Sequence, residues 1–596
     1  MRQLEHFPNL VSMFFARAAA GGDRPFLHRK IDGAWRATSW AEAAQTVACL
    51  SDGLKKLGLQ RGDRVMLVAE NRPEWLLADL AIMAAGCITV PAYTTNTERD
   101  HGHILTDSGA RAVIVSSAKL AKPLYPAVLR SLDCQHVIGI DPMRIPQSGE
   151  VDYHDWRALV RGEDGDVAAT AAWADANLSR EDLACIIYTS GTGGAPRGVM
   201  QHHGAILHNV AGCATIISED FGWGDESVLS FLPASHAYEH SGGQHFPVGL
   251  GAQIYYAESL EKLGANLEEV RPTLMFVVPR LFELLRARII KGIAGQGGLA
   301  QKLLDQALDL GRRREAGQRR FYDFTLDALL ERTLRPKVRA RFGGRLKAMV
   351  SGGAPLNPEV GLFFQSLGVT ILQGYGQTEA APVVSCNRPK AGITLDSVGP
   401  PLPNTEVRIA EDGEILIRGE LVMQGYWRNP AETARVLKDG WLHTGDIGHL
   451  DAGGRIVITD RKKDLLVNDK GDNVSPQKLE GMLTLQPEIA QAMVYGDRRP
   501  HVVGLLVPDE EWSAEWAAAQ GKNGVELRAD PDYLRALGAA VDRVNGGLSV
   551  IEKVRRFALA DEAFAVENEE MTPSMKIRRH VIRKRYEERL KGLYGR

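Results

Sequence analysis

Between Arg61 and Tyr93 the chain changes its periodicity three times, reading RGDRVMLVAE, then PEWLLADLAIMAAG, then CITVPAY. The first is a short apolar run after a Gly-Asp turn and reads as a strand. The second reads as a helix opened by proline, and the third as another buried strand. The same strand–helix–strand rhythm recurs at Arg111–Ser116, Val137–Asp141 and Leu183–Thr189. Strands that alternate with helices lie parallel in a sheet covered by helical layers, so the predicted fold class is α/β with parallel sheets. No short-period repeat or low-complexity linker interrupts the pattern.

A chain of 596 residues has room for several domains, and 44% hydrophobic with 24% charged residues supplies ample core. A formal net charge of −3 gives no global reason to expect a nucleic-acid partner. The cysteines at 49, 87, 134, 185, 213 and 386 are scattered without a C-x-x-C pair. That spacing speaks against zinc ribbons and a disulfide framework, and it suits a reducing cytoplasm. No apolar run approaches the ~18 residues of a membrane span. The brief apolar patch near the N-terminus follows Glu5, His6 and Pro8, and reads as an opening amphipathic helix rather than a signal peptide.

Two changes of character divide the chain. Residues 286 to 347 read as a long helical insertion, and from Gly311 to Lys347 there are 12 Lys/Arg against 4 Asp/Glu, an excess of 8 positive charges. Such a stretch is ordinarily a solvated helical face. A surface drawn to anionic lipid headgroups is the functional reading beside it. Near Asp460 the strand-and-turn pattern gives way to a compact α+β one, with a helix from Ser475 and strands around Ala490–Tyr495 and His501–Val507. A basic tail follows, with nine Lys/Arg and two Glu from Lys576 to Arg596. The expected division is a large multi-layer domain over residues 1–459 and a small α+β domain over 460–596.

The candidate chemistry centres on YTSGTGGAPRGVM, Tyr188 to Met200. An apolar strand enters a loop of hydroxyls, glycines and one cation, and a helix-like segment begins near His203. Glycines let backbone N–H groups approach phosphate oxygens, hydroxyls donate further hydrogen bonds, and a guanidinium balances charge. The loop lacks the Walker A string, and the dinucleotide fingerprint breaks at Pro196. Alone it would also pass for an ordinary Gly/Thr surface turn.

The loop resembles the signature of the acyl-adenylate-forming superfamily, [ST]-S-G-[ST]-T-G-x-P-K-G, with Gly193 in place of the second Thr and Arg197 in place of the Lys. Arg keeps the charge and alters its reach, so altered pyrophosphate handling is expected rather than lost function. LPASHAYEH (Leu232–His240), SGGAPL (Ser351–Leu356), GYGQTE (Gly374–Glu379), WLHTGD (Trp441–Asp446), DRKKDLLVNDKGDNVSP (Asp460–Pro476) and MTPSMKIRRH (Met571–His580) follow in family order.

The resemblance implies a role for each matching residue. Thr189, Ser190, Gly191, Thr192, Gly193 and Arg197 would hold phosphates, Gly353 and Ala354 would border the adenine, and Tyr375 would stack on it. Thr378 would meet the α-phosphate, and Glu379 would bind Mg²⁺. Asp446 would accept both ribose hydroxyls, with Arg461 supporting ribose and phosphate. His236 would lie by the acyl site, where the small residues Ser241, Gly242 and Gly243 leave room for a chain. Lys463 would be the hinge of a mobile small domain and Gly471 would line the pantetheine tunnel. Lys576 would bridge the acyl carboxylate and the α-phosphate.

The insertion between VVPRLFE and SGGAPL is most similar to long-chain fatty-acyl-CoA synthetases. The implied activity is ATP- and Mg²⁺-dependent conversion of a long-chain fatty acid to acyl-AMP and then to a thioester of coenzyme A. The alternatives are a fatty-acyl-AMP ligase serving a carrier protein and a non-catalytic nucleotide-binding scaffold. The expected partners are fatty acid, ATP and coenzyme A, with no nucleic acid. The reading also leaves room for a homodimer and for peripheral membrane contact through the basic insertion.

Overall fold

A computed structural model describes residues 3–144, 151–161, 165–189, 196–295, 297–318, 320–470, 472–522, 526–572 and 577–595. Among them the large region is built on two eight-stranded sheets and a five-stranded one. In the first sheet, strands Leu183–Thr189, Ile88–Pro91, Arg64–Val68, Ala112–Val115, His136–Gly139 and Asp152–Asp155 lie side by side and parallel. In the second, Ser227–Ser230, Leu274–Val277, Ala348–Ser351 and Ile371–Gly376 are parallel neighbours. Both therefore carry the expected α/β pattern, with antiparallel strands added at their flanks.

Helices Pro73–Ala84 and His203–Ile216 occupy the layer between these sheets. In the first of them every residue but Glu74 is buried, which a helix apolar around its whole circumference requires. Both helices share one hydrophobic cluster with Val65, Leu67 and Ile114 of the first sheet and Phe26, Val228 and Ile254 of the second. Burial on all sides explains why Pro73–Ala84 has no polar face in its sequence.

The third sheet is antiparallel, from Glu406–Ile409, Glu414–Arg418, Trp441–Leu450 and Ile456–Arg461. Beyond it the chain builds separate cores, one around Leu466, Leu479, Leu506 and Leu537 and another around Met493, Leu505, Phe564 and Ile582. The helix expected from Ser475 is Pro476–Leu483, with the Ser475 hydroxyl capping it. The two expected strands are Ile489–Tyr495 and Val502–Pro508.

Three sequence readings need correction in detail. The opening helix, Leu10–Gly21, is mostly buried rather than amphipathic at a surface, because it packs against the helices Trp40–Lys56, Val167–Asn177 and Phe246–Leu250. Between the candidate phosphate loop and the helix at His203 stands an unforeseen strand, Arg197–His202, antiparallel to Leu183–Thr189. The loop therefore closes a hairpin. The basic insertion is four helices, Pro279–Ala294, Gly298–Glu315, Asp323–Thr333 and Arg335–Arg341. Its acids pair with some of its arginines, Arg313 with Asp323, Arg314 with Asp327, and Arg335 with Asp327 and Glu331, and the excess of positive charge remains.

Candidate functional site

Strand pairing sets the centre of the site. Antiparallel register of Trp441–Leu450 with Ile456–Arg461 places Asp446 opposite Arg461, and the strand Ile371–Gly376 of the second large sheet delivers Tyr375 to the same spot. The Tyr375 hydroxyl donates to Asp446 Oδ2 at 2.6 Å, and Arg461 Nε donates to Asp446 Oδ1 at 3.1 Å. With Asp446 only 4% exposed, a full negative charge is held there by two donors rather than by water. Burial first, and then the Asp446 charge, push the Tyr375 phenol well above its ordinary pKa, so it stays a donor. Burial works against the Arg461 cation, but Asp446 and Asp464 more than offset it and its pKa is raised.

A second polar chain runs from the base of the loop. Thr189 and Arg197 face each other where the hairpin opens. The Arg197 guanidinium pairs with Glu432 and lies over the Tyr426 ring, 4.5 Å from its centroid. The Tyr426 hydroxyl donates to Glu379 Oε1 at 2.7 Å. The Thr378–Ala380 turn is anchored by Gln201, whose side chain donates to the Thr378 carbonyl at 2.7 Å, and by the Met423 N–H, which donates to the Glu379 carbonyl at 2.9 Å. Arg197 and Glu379 are thus coupled through Tyr426 and Glu432, two residues the sequence reading passed over. Their only sequence signal is an aromatic and an acid in the turn-rich segment GYWRNPAET.

Thr189, Arg197, His236, Gly353, Ala354, Tyr375, Thr378, Glu379, Asp446, Arg461 and Lys463 all line one continuous cleft of about 3010 Å³. Gly353 has φ +83°, a conformation that glycine adopts without strain. The cleft extends into an apolar arm walled by Val210, Cys213, Ile216, Phe246, Leu274 and Leu372. Tyr238 and Phe276, which also line the cleft, stand edge to face with ring centroids 5.9 Å apart, and the Tyr238 hydroxyl donates to the Val350 carbonyl at 2.9 Å.

His236 caps the short helix Ala237–Glu239, its Nδ1 accepting the Tyr238 N–H at 3.1 Å. Ser241 and Gly242 line the cleft, but Gly243 does not. A Cβ on Gly243 would stand 2.1 Å from Glu239 Oε1, so its missing side chain makes room for that carboxyl rather than for an acyl chain. On the other side of this helical turn the fully buried His240 and His245 both contact Asp79 Oδ2, at 3.1 and 3.0 Å.

From the C-terminal side, Lys462, Lys463 and Asp464 line the cleft, as do Thr572, Ile577 and Arg579. Arg579 Nη2 donates to Glu480 at 2.9 Å. Ser190, Gly191, Thr192, Gly193, Gly471 and Lys576 lie outside the described residues. The cleft therefore combines a buried carboxylate held by a tyrosine and an arginine, a carboxylate and an arginine at the loop mouth, and a stretch of apolar lining.

The model of the AMP-binding enzyme family matches residues 14–427, and that of the AMP-binding enzyme C-terminal domain matches residues 463–596. The chain is 32% identical to long-chain-fatty-acid–CoA ligase FadD15 of Mycobacterium tuberculosis, over 98% of this chain and 97% of the relative. It is 29% identical to long-chain-fatty-acid–CoA ligase 1 of Homo sapiens, over 95% and 84% of the two chains. Among solved structures it is similar in fold to the A-PCP didomain of carboxylic acid reductase from Segniliparus rugosus in complex with AMP. That likeness has a TM-score of 0.75 at 21% identity, covering 99% of this chain and 82% of the other. A benzoate CoA ligase from Burkholderia xenovorans gives a TM-score of 0.71 at 21% identity, covering 97% and 100%.

Burial pushes the Glu239 carboxyl from 4.5 up to about 8, against hydrogen bonds from Ser230 and Gln244 that work the other way. The folded state then keeps a proton that the unfolded chain releases above pH 4.5. Its contribution is complete below that value and is lost as pH rises towards 8, with a slope of at most about 1.4 kcal/mol per pH unit. Glu239→Gln, neutral at every pH, should flatten the fall in unfolding free energy between pH 6 and 9. Denaturant melts with parallel pH dependence in the two proteins would contradict a buried, protonated Glu239.

Proposed function

Because the chain belongs to the AMP-binding enzyme family and is an acid–thiol ligase, we propose that it activates a long-chain fatty acid with ATP and passes the acyl group to coenzyme A. The observation that carries this reading is the continuity of the cleft, from Asp446, Thr378 and Glu379 into the apolar arm bounded by Phe246, Leu274 and Leu372. An arm walled by aliphatic and aromatic groups favours an acid with a long hydrocarbon tail. The names of the two ligases reported above support the same class of acid and acceptor.

In this reading an oxygen of the acid attacks the α-phosphorus of ATP, the bond from that phosphorus to its bridging oxygen breaks, and pyrophosphate leaves. Asp446 holds the ribose hydroxyls, Arg461 supports ribose and phosphate, and Tyr375, Gly353 and Ala354 border the adenine. Thr378, Arg197 and the loop residues Thr189, Ser190, Gly191, Thr192 and Gly193 donate to phosphate oxygens as charge gathers there. Lys576 bridges the acid and the α-phosphate, and His236 lies beside the acyl group. This is catalysis by position and by pre-set electrostatics. Glu379 is the residue that would hold Mg²⁺, whose preference for carboxylate oxygen it meets and whose charge would neutralise the phosphates.

In the second half-reaction the thiol of coenzyme A attacks the acyl carbon and AMP departs. We assign residues 460–596 to a small domain that turns at Lys463, replacing Lys576 by the Gly471 side that admits the pantetheine. Separate hydrophobic cores on the C-terminal side favour such a body. The departure of Arg197 from lysine suits its neighbours, because a planar guanidinium can lie flat on Tyr426 while bonding Glu432.

The acid supply also has a structural correlate. At the turn between Gly298–Glu315 and Asp323–Thr333, Phe321 is 90% and Phe324 74% exposed, beside Arg320. Aromatics flanked by arginine favour peripheral contact with an anionic lipid surface. This tip adds an apolar anchor to the excess positive charge of the insertion.

Pyrophosphate release measured across acids from acetate to long chains should rise with chain length and yield free acyl-CoA when coenzyme A is added. Activity confined to short acids, or acyl-AMP that passes only to a carrier protein, would overturn the assignment. Flotation with anionic vesicles should recover the protein, and Phe321→Ser with Phe324→Ser should abolish that recovery. Equal flotation of both proteins would remove the tip from the account.

A further inference from the structure

At the far edge of the first large sheet lies a group of side chains that the ligase reaction does not use. The parallel register of His136–Gly139 with Asp152–Asp155 sets His136 beside Asp152 and Ile138 beside His154. Side chains two apart on a strand share a face, so His136, Asp152 and His154 project together. His136 Nδ1 and His154 Nε2 stand 3.2 Å apart. A carboxylate oxygen of Asp152 completes a set of three ligand atoms, all within 4.8 Å of one another.

The spacing of the two imidazole nitrogens is close to what a tetrahedral ion demands, and the Asp152 carboxylate stands within reach of the same point. Ligands ~2.0–2.1 Å from zinc stand ~3.3 Å from each other. The tautomer is also prepared. His136 hydrogen-bonds the backbone carbonyl of Leu57, just past the helix Trp40–Lys56. That bond needs an N–H, and with Nδ1 turned to His154 it comes from Nε2. A lone pair is then left on Nδ1, an orientation that second neighbours commonly impose on metal-bound imidazoles. The nearby cation, Arg111, is engaged by Asp63 at 3.2 Å and by Gln135 at 3.1 Å, which limits its repulsion of an incoming ion.

We propose that His136, Asp152 and His154 bind a borderline divalent cation such as Zn²⁺, clipping the edge strand Asp152–Asp155 to its neighbour. Two imidazoles and one carboxylate select such an ion over Mg²⁺ or Ca²⁺. On binding, the His154 proton moves from Nε2 to Nδ1, and both inward nitrogens present lone pairs. The fourth tetrahedral position is left for water. None of the three residues lines the cleft, so the site is separable from the ligase reaction.

The test is titration of chelator-treated full-length protein with Co²⁺ in excess Mg²⁺, followed by the visible bands of tetrahedral cobalt, and with Zn²⁺ by calorimetry. We expect one site, with cobalt bands, whose Zn²⁺ affinity falls by about tenfold or more in both His154→Ala and the less disruptive His154→Gln. Circular dichroism and acid-dependent pyrophosphate release should stay at wild-type levels in the variant used. No binding to the wild type, or equal affinity and spectra in wild type and a folded variant, overturns the proposal.

Discussion

One buried carboxylate organises the site. Asp446 is reached by a phenol from the second large sheet and by a guanidinium from the adjacent strand of the third. Leaving such a charge unpaired would be costly, so the strands that deliver Tyr375 and Arg461 are tied to one geometry. Arg461 is also the last residue of its strand, just before the proposed hinge at Lys463. In the proposed reading, the group that holds the nucleotide is therefore also the group beside the pivot.

The Arg197–Tyr426–Glu379 chain gives the opposite wall a similar economy. A variant loop with arginine instead of lysine would be a liability if the longer, planar group had nowhere to rest. Here Tyr426 receives its face and Glu432 its charge, and Tyr426 in turn orients Glu379. The departure from the family pattern is matched by its surroundings, so differences in phosphate handling are to be sought in this trio.

The sequence made the layered α/β architecture legible because the buried strands are short apolar runs set between helical ones, as at Arg64–Val68 and Ile88–Pro91. Thr378, Glu379, Asp446 and Arg461, which line the cleft, were legible as motifs, since each carries a functional group in a recognisable string. What stayed hidden depends on distance in space rather than in sequence. Glu432 lies far along the chain from Arg197, and neither residue predicts the other. Gly243 looked like free space beside an acyl chain, yet its lost Cβ serves the Glu239 carboxyl. The strand Arg197–His202 was missed because its residues read as the tail of a loop, and only pairing with Leu183–Thr189 makes it a strand. Likewise, the charge count of the basic insertion does not tell which arginines meet Asp323, Asp327 and Glu331.

The central claim is that Asp446, poised between Tyr375 and Arg461, is the nucleotide anchor. Asp446→Asn keeps the shape and can still accept from Tyr375, but it removes the charge. Calorimetric titration with AMP should show affinity reduced by about tenfold or more, the scale of ~1.4 kcal/mol or above for a charge-assisted hydrogen-bond pair, in a protein that remains folded. AMP affinity within twofold of wild type in that variant would contradict the account.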